Sequence, residues 1–294
     1  MKDELVSALI PGFGLRAVLV TTTALARRGA ELHHARPAAA ALFAQGLTSA
    51  LLLASLQKEK SRVNLQLECG GPARGFFCDA GTDGTVRGYI KNPHWDVEGE
   101  EGPFHWRPAL GNSGFLSVLR DQGQGEFYRS SVELTEFDVA KDFERYFLTS
   151  EQVASAVVLA VLPEGAERLG HVAGLLLQTL PDGDAEQLQR IRARLDAGGF
   201  AQALRLQPKS AAAFLTALLA PEGEPEWMAR YGLEFKCSCS RERVQRALLA
   251  LGREELADLI SKEGRSEVTC EFCTTQYVVE REELTALLQG ISPA

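Results

Sequence analysis

Four of the six cysteines in this 294-residue chain fall into two tight pairs near its end, Cys237-Ser238-Cys239 and Cys270-Glu271-Phe272-Cys273. A CxC followed by a CxxC supplies soft donors two at a time. A tetrahedral ion such as Zn²⁺ asks for this layout, since it takes four thiolates at about 2.3 Å. The competing readings are bystander thiols buried as small hydrophobes, structural disulfides, or another metal. Four thiolates would fill the shell and leave no open position for water or substrate, unlike a catalytic zinc. The residues alone therefore leave three roles open: structural staple, redox switch, or a zinc ribbon that binds nucleic acid or protein.

The surrounding pattern describes a small module over 231–294. Arg241–Leu251 places Val244, Ala247, Leu248 and Leu251 on one helical face, with Ser240 as N-cap and Gly252 as stop. Arg253–Glu263 repeats the pattern with Leu256, Leu259 and Ile260, and Gly264 ends it. Val268 leads into the CxxC and Gln276–Val279 leads out, which sets Cys270 and Cys273 in the turn of a hairpin, and Glu280–Leu288 supplies a last helix. A module this small, with few apolar residues, commonly needs a metal or disulfide beside its core. In small zinc modules the apparent binding energy, roughly 10–16 kcal/mol, is largely folding energy.

Composition narrows the function. Hydrophobic residues make up 45% of the chain, which describes a folded protein rather than a disordered one. Met1-Lys2-Asp3-Glu4-Leu5 does not begin like a signal peptide, and Ala38–Leu56 and Ala154–Leu162 are too short or too interrupted to read as membrane spans. The expectation is a cytoplasmic protein with reduced thiols and no membrane partner. The formal net charge is −8; four thiolates (−4) and one Zn²⁺ (+2) would take it to about −10. Such a balance disfavours a phosphate-binding surface. Arg241, Arg243 and Arg246 lie near the cysteines, but Glu242 interrupts them, so nucleic acid is not the expected partner. A thioredoxin-like enzyme places its CxxC at a strand-to-helix junction, not in a hairpin. His94 and His105 have no carboxylate or cysteine at motif spacing and read as packing or surface residues beside Trp95 and Trp106. No enzyme activity is expected.

The first 181 residues read as an α+β domain, a largely antiparallel sheet packed with helices. Leu5–Ile10 and Arg16–Thr22 are short apolar strands about Pro11-Gly12-Phe13-Gly14, and the second lacks alternation, as a strand covered on both faces would. Pro37–Gln57 is an Ala- and Leu-rich helix with so little polar surface that it must be central. Val63, Leu65, Leu67 and Cys69 alternate with polar residues, and Arg74–Ala80 and Thr85–Ile90 continue a meander in which Cys69 and Cys78 could face each other. Asn92–Gly114 reads as loop. Phe115–Arg120, Phe127–Leu134, Ser155–Pro163 and His171–Leu180 read as strands and Phe137–Leu148 as a helix. Residues 182–230 change character. Ala185–Ala197 and Ser210–Leu219 are short helices interrupted by glycines and prolines, marginal in isolation and dependent on docking. Pro221-Glu222-Gly223-Glu224-Pro225-Glu226 is the clearest candidate boundary.

The chain resembles the Hsp33 family of redox-regulated chaperones over essentially its whole length. The resemblance is carried by Cys237-Ser238-Cys239-Ser240-Arg241-Glu242-Arg243-Val244 with Cys270-Glu271-Phe272-Cys273. Tyr146-Phe147-Leu148-Thr149-Ser150-Glu151-Gln152, Gly174–Pro181 and Leu110-Gly111-Asn112-Ser113-Gly114-Phe115-Leu116 support it. Two positions depart from the family's pattern, Val153-Ala154-Ser155 where a Thr is common and Ser130-Ser131 where a Gly is usual. The resemblance implies an ATP-independent holdase, inactive while one Zn²⁺ per chain is held by Cys237, Cys239, Cys270 and Cys273. It implies activation by the disulfides Cys237–Cys239 and Cys270–Cys273 with loss of zinc. It further implies a metastable helical linker (182–230) after the core domain (1–181), unfolded proteins as clients, and a homodimer when active. On this reading Leu188, Ile191, Leu195, Phe200, Leu204 and Leu206 are candidates either to cover the sheet or to contact clients.

Overall fold

The computed structural model describes residues 1–58, 60–96, 106–121, 127–165 and 168–290. The first two apolar segments form the antiparallel strands β1 (Glu4–Ile10) and β2 (Leu15–Thr21), each buried on both faces. Gly14 in the turn between them has φ +58°, and a Cβ there would stand 2.9 Å from Gly183 Cα. Helix α1 (Thr23–Leu32) follows, with the Asp3 carboxylate accepting from Ala24 N (3.1 Å) and Leu25 N (2.6 Å) in its first turn. Its mid-helix Gly29, which lowers helix propensity, is explained by packing: a Cβ would come within 2.9 Å of the Phe43 ring. No helix is expected here from the sequence pattern.

Helix α2 (Pro37–Ala54) is central, as expected, with every residue from Ala38 to Ala54 buried. It is long and apolar enough to cross a membrane, yet it is packed between two sheets of the protein. One buried hydroxyl, Thr48 Oγ1, is satisfied by Ala44 O and Thr22 Oγ1, each at 2.7 Å.

The meander forms β3 (Arg62–Cys69), β4 (Gly75–Gly81) and β5 (Thr85–Ile90). The stretch expected as loop contains a short helix, α3 (Trp106–Leu110). Then come β6 (Gly114–Asp121) and β7 (Phe127–Glu133). Along β3, Val63, Leu65 and Leu67 face α2 and their neighbours face outward. Register decides a possibility that spacing left open: Cys78 pairs with Leu65, whereas Cys69 pairs with Gly114 on β6. Four residues along a strand is about 13 Å, so the two thiols do not face each other. The Leu110–Leu116 motif is a backbone interlock. Gly70 N donates to Ser113 O (2.9 Å) and Gly71 N to Leu110 O (3.0 Å), at a closeness that a Cβ on Gly71 would prevent.

Helix α4 (Val139–Tyr146), capped by Asp138, runs into a π-turn over Phe147–Glu151, which ends at Gln152 in the left-handed region (φ 56°). Strands β8 (Ser155–Glu164) and β9 (Arg168–Thr179) form a long hairpin. Helices α5 (Ala185–Arg194), α6 (Phe200–Arg205) and α7 (Ala211–Leu219) come next, then β10 (Glu226–Gly232) and β11 (Glu234–Phe235). One sheet has the order β10-β1-β2-β9-β8 and is antiparallel throughout; the other is β11-β5-β4-β3-β6-β7, with only β11 parallel to its neighbour. The expected helical linker, 182–230, is therefore helical only as far as Glu222. Its end pairs with β1 as an edge strand whose residues, all but Tyr231, are exposed. With no buried face, β10 leaves no alternation to read.

The chain divides into two compact units, Met1–Lys236 and Cys237–Ala294. The second unit starts after Lys236 rather than at Tyr231, because β10 and β11 belong to the two sheets of the first. It comprises α8 (Arg241–Leu249), α9 (Arg253–Lys262), the hairpin β12 (Arg265–Thr269) and β13 (Gln276–Glu280), and α10 (Arg281–Gly290). Its core is Val244, Leu248, Leu256, Val279 and Leu284, with a ring of half-buried side chains around them.

Close packing between α2 and β4 gives a prediction. A Cβ on Gly46 would lie 2.7 Å from the Phe76 ring, and Phe76 is fully buried. Gly46→Ala is expected to destabilise the first unit by about 1–3 kcal/mol through overpacking, read as a lower urea midpoint for the reduced protein. An unchanged midpoint would show that the ring can yield.

Candidate metal centre

Two local structures bring the cysteines together. Cys237 and Cys239 lie in the extended stretch before α8, where Ser240 caps the helix by accepting from Arg243 N (3.4 Å) and Arg243 Nη1 donates to Ser238 Oγ (2.8 Å). Cys270 and Cys273 lie in the turn between β12 and β13, as the sequence reading placed them. There Thr274 N donates to Cys270 O (2.8 Å) and Cys270 N to Thr275 O (2.9 Å), while Thr274 adopts φ +60°. The cap side is joined to the hairpin side by Arg241, which forks onto Glu283 of α10 (3.0 and 2.5 Å) and also reaches Val278 O of β13 (2.8 Å).

All four sulfurs lie within 4.8 Å of one another, and all four residues are half-buried. Cys237 Sγ is 3.7 Å from Cys270 Sγ, and Cys239 Sγ is 3.3 Å from Cys273 Sγ. A regular tetrahedron with metal–sulfur bonds of about 2.3 Å has edges of about 3.8 Å. The thiols are unbonded, and disulfide sulfurs would be about 2.0 Å apart. Soft donors, their number and their spacing all fit a metal ion, and these four cysteines could hold one. Every sulfur also has the other three in reach, so this geometry favours no single disulfide pairing.

Neighbouring groups distribute charge unevenly over the cluster. Burial pushes the Cys270 thiol up to about 12 and raises that of Cys239 as well. At Cys273 the effect of burial is outweighed by hydrogen bonds from the Thr275 hydroxyl and backbone and from Cys239 and Cys237, and its pKa falls to about 7. Tyr277 donates its hydroxyl to Cys239 Sγ (3.2 Å), and that bond holds the phenol up at about 12. Thr275 and Tyr277 are not among the residues that the sequence pattern singles out. Their only signal was their place at the exit of the CxxC turn, where a hydroxyl can reach a sulfur.

The remaining candidates lie in the first unit. Leu188, Ile191, Leu195, Phe200 and Leu204 are buried on the face of the β10-β1-β2-β9-β8 sheet opposite α2, whereas Leu206 is 80% exposed and belongs to no cluster. Phe214, Leu215, Leu218 and Leu219 of α7 complete this layer and were missed as individuals, although their helix was expected. Polar anchors hold the layer at its edges. Asp184 caps α5 by accepting from Gln187 N (2.8 Å), and Asp184 N donates to Phe13 O (2.8 Å). Arg192 grips Glu144 of α4 through both nitrogens (2.8 and 2.9 Å), and Glu144 Oε1 also accepts from Val157 N of β8 (2.8 Å). Arg194 donates to Leu218 O and to the Glu222 carboxylate. His94 is exposed, and His105 lies outside the described residues. Cys78 is fully buried and burial raises its thiol pKa, as it does for the half-buried Cys69.

Comparison with known proteins places this arrangement. The family model described as Hsp33 protein matches residues 3–280. A 33 kDa chaperonin from a Synechocystis strain is 38% identical over 296 residues, covering 99% of this chain and 97% of its own. The 33 kDa chaperonin of Bacillus subtilis is 33% identical, covering 97% and 98%. The crystal structure of the 33 kDa chaperonin of Thermotoga maritima, a heat shock protein 33 homologue, superposes with a TM-score of 0.80 at 27% identity over 98% of each chain.

Removing one sulfur tests the assignment of donors. Cys270→Ser is expected to lose tight, chelator-resistant binding of a thiophilic divalent ion, and with it the amide protection of α8–α10. A variant that keeps stoichiometric metal against a chelator would show that the donors lie elsewhere.

Proposed function

Because the chain belongs to the Hsp33 family of chaperones, we propose that it is a redox-regulated, ATP-independent holdase, silent when reduced and metal-loaded and activated by oxidation. The observation that carries this reading is the pairing of a four-thiol centre with a thin core in the same small unit. Five buried side chains form that core, and units of this size commonly lean on a metal. One Zn²⁺, held by Cys237, Cys239, Cys270 and Cys273 in the reduced form, would supply a cross-link between the α8 cap and the β12–β13 turn.

The switch arises from what the thiolates can do. Each pair gives two electrons to one peroxide molecule, forming an S–S bond and, with two protons, two waters. Two such reactions consume all four donors, and the unit loses the link that its core cannot replace. Disulfides within pairs, Cys237–Cys239 and Cys270–Cys273, are the expected products. Once the unit loosens, cysteines two or three residues apart stay close while those across the thirty-residue loop separate.

The construction of the helical layer in the first unit supports the linker role proposed for 182–230. Three short helices, none longer than ten residues, cover the outer sheet face, and helices of that length are marginal without docking. Leu188, Ile191, Leu195, Phe200 and Leu204 are the residues whose undocking would offer apolar surface to an unfolded client, together with the sheet face beneath them. Leu206 already faces outward and is proposed only as a contact at the rim. Clients are unfolded or partly unfolded proteins, the active form is a homodimer, and the protein works in the cytoplasm. No enzymatic step is involved.

Suppression of client aggregation should be weak for the reduced protein and strong after peroxide treatment with mild warming. One zinc should leave as four thiols disappear. Equal protection before and after oxidation would show that no switch operates. Ile191→Ala, which opens a cavity in the docked layer, is expected to weaken docking by about 2–5 kcal/mol and give partial holdase activity without oxidant.

A further inference from the structure

Glu4 is a buried carboxylate on β1, 9% exposed, and it belongs neither to the four-cysteine cluster nor to the polar anchors described above. Its two oxygens go to two different elements. Oε1 accepts from Ala211 N, the first residue of α7, at 2.8 Å. Oε2 accepts from Arg230 Nε on β10, also at 2.8 Å, and the two form an ion pair. Ala211 is itself fully buried, and its amide is one of the donors that a helix start leaves without a partner in the helix. The nearby cap, Ser210 Oγ, accepts instead from Ala213 N (3.1 Å). Docking of α7 therefore relies on a side chain 207 positions away in sequence, and the same side chain holds the strand that leads to the cysteines.

That strand is lightly held. It is an exposed edge with a register shift opposite Ser7 and Ala8, and its continuation, β11, is two residues long. Lys236 N donates to Val86 O (2.8 Å), and Cys237 is the next residue. If β10 leaves β1, Arg230 leaves Glu4. A buried carboxylate then keeps one amide partner and no counter-charge, which is costly until water reaches it. Water reaches it when the start of α7 moves away.

We propose that Glu4 is the positioning residue that couples pairing of β10 to docking of α7, so that loosening on the cysteine side of the chain is felt as loosening of the helical layer. The coupling rests on the holdase reading and deepens it, because it supplies a route from the thiol centre to the covered sheet face. It is reciprocal: undocking α7 weakens β10 by the same factor.

The test is a mutant cycle read by hydrogen exchange on the full-length, reduced, zinc-loaded protein. Arg230 is largely exposed and its variants should fold. Arg230→Leu is expected to speed exchange of the α7 amides roughly fivefold, although Arg230 bonds to no α7 atom in the described contacts. Arg230→Lys, which keeps the charge, should stay within about twofold of the parent. Glu4→Gln keeps an oxygen for Ala211 N but loses the charge that holds Arg230, and in that background Arg230→Leu should change α7 by less than about twofold. Unchanged α7 exchange in Arg230→Leu, equal effects of Leu and Lys, or additive effects in the double variant would each overturn the proposal. The readout involves neither client nor oxidant. A failed aggregation assay would thus sink the holdase reading and leave the coupling standing, while an intact oxidative switch with uncoupled exchange would do the reverse.

Discussion

The antiparallel sheet β10-β1-β2-β9-β8 has apolar side chains on both faces, and leaving either face in water is costly. Val18, Val20 and Leu176 point to the α2 side, while Ala17, Leu19 and Leu175 point to the other. Each face therefore needs its own cover, since buried apolar area is the main favourable term in folding. The two covers are built differently. On one side lies α2, eighteen residues unbroken and enclosed by a second sheet. On the other lie three short helices separated by a π-turn with Gly198 at φ 100° and by the stretch around Pro208. Hydrophobic burial holds both, but only the first cover is also braced by its own continuity and by a second sheet.

The second unit repeats the theme on a smaller scale. Its helices and hairpin bury five side chains, against several dozen in the first unit, so the contribution of four converging sulfurs is proportionately larger. Placing them on a cap and in a turn matters. Both are local structures whose backbone hydrogen bonds are already made, by Ser240 on one side and by Thr274 and Thr275 on the other. A metal would then link two preformed pieces rather than organise one loose chain. The Arg241–Glu283 fork joins the same two sides but is substantially exposed, and exposed pairs contribute little.

Legibility in the sequence tracked how each feature is encoded. Strand β3 was readable because one wet face and one dry face give strict alternation, and α2 because Ala and Leu dominate the stretch behind Pro37. The convergence of the four cysteines was readable because a tetrahedral ion would ask for both that residue type and that spacing, and the hairpin around Cys270 and Cys273 because apolar residues flank it. Helix α1 was not, because Gly29 is chosen to fit Phe43, which lies elsewhere in the chain. Strand β10 was not, because backbone pairing with β1 orders it without burying a face. Glu4 and Tyr277 were invisible for a related reason: each acts through directed hydrogen bonds to groups brought near only by folding, and Thr275 because its hydroxyl's reach to Cys273 depends on the turn. Whether Cys69 and Cys78 face each other stayed open because spacing along the chain does not specify register.

These differences bear on how the helical layer is held to the sheet. Apolar packing holds the helical layer, and directed polar contacts pin it to one docked geometry. Arg192 on Glu144, Arg194 on Glu222 and Ala211 on Glu4 provide such pins at three points of the layer's edge. Each involves a carboxylate at least half withdrawn from water, so losing its partner exposes a desolvation cost that the remaining contacts do not offset. Glu144 and Glu4 also hold the sheet's own edge strands, through Val157 N of β8 and Arg230 of β10. The layer is thus fastened to the two strands of the sheet that have a neighbour on one side only. Those strands are where pairing is most easily lost, and their loss would disturb the core around α2 least.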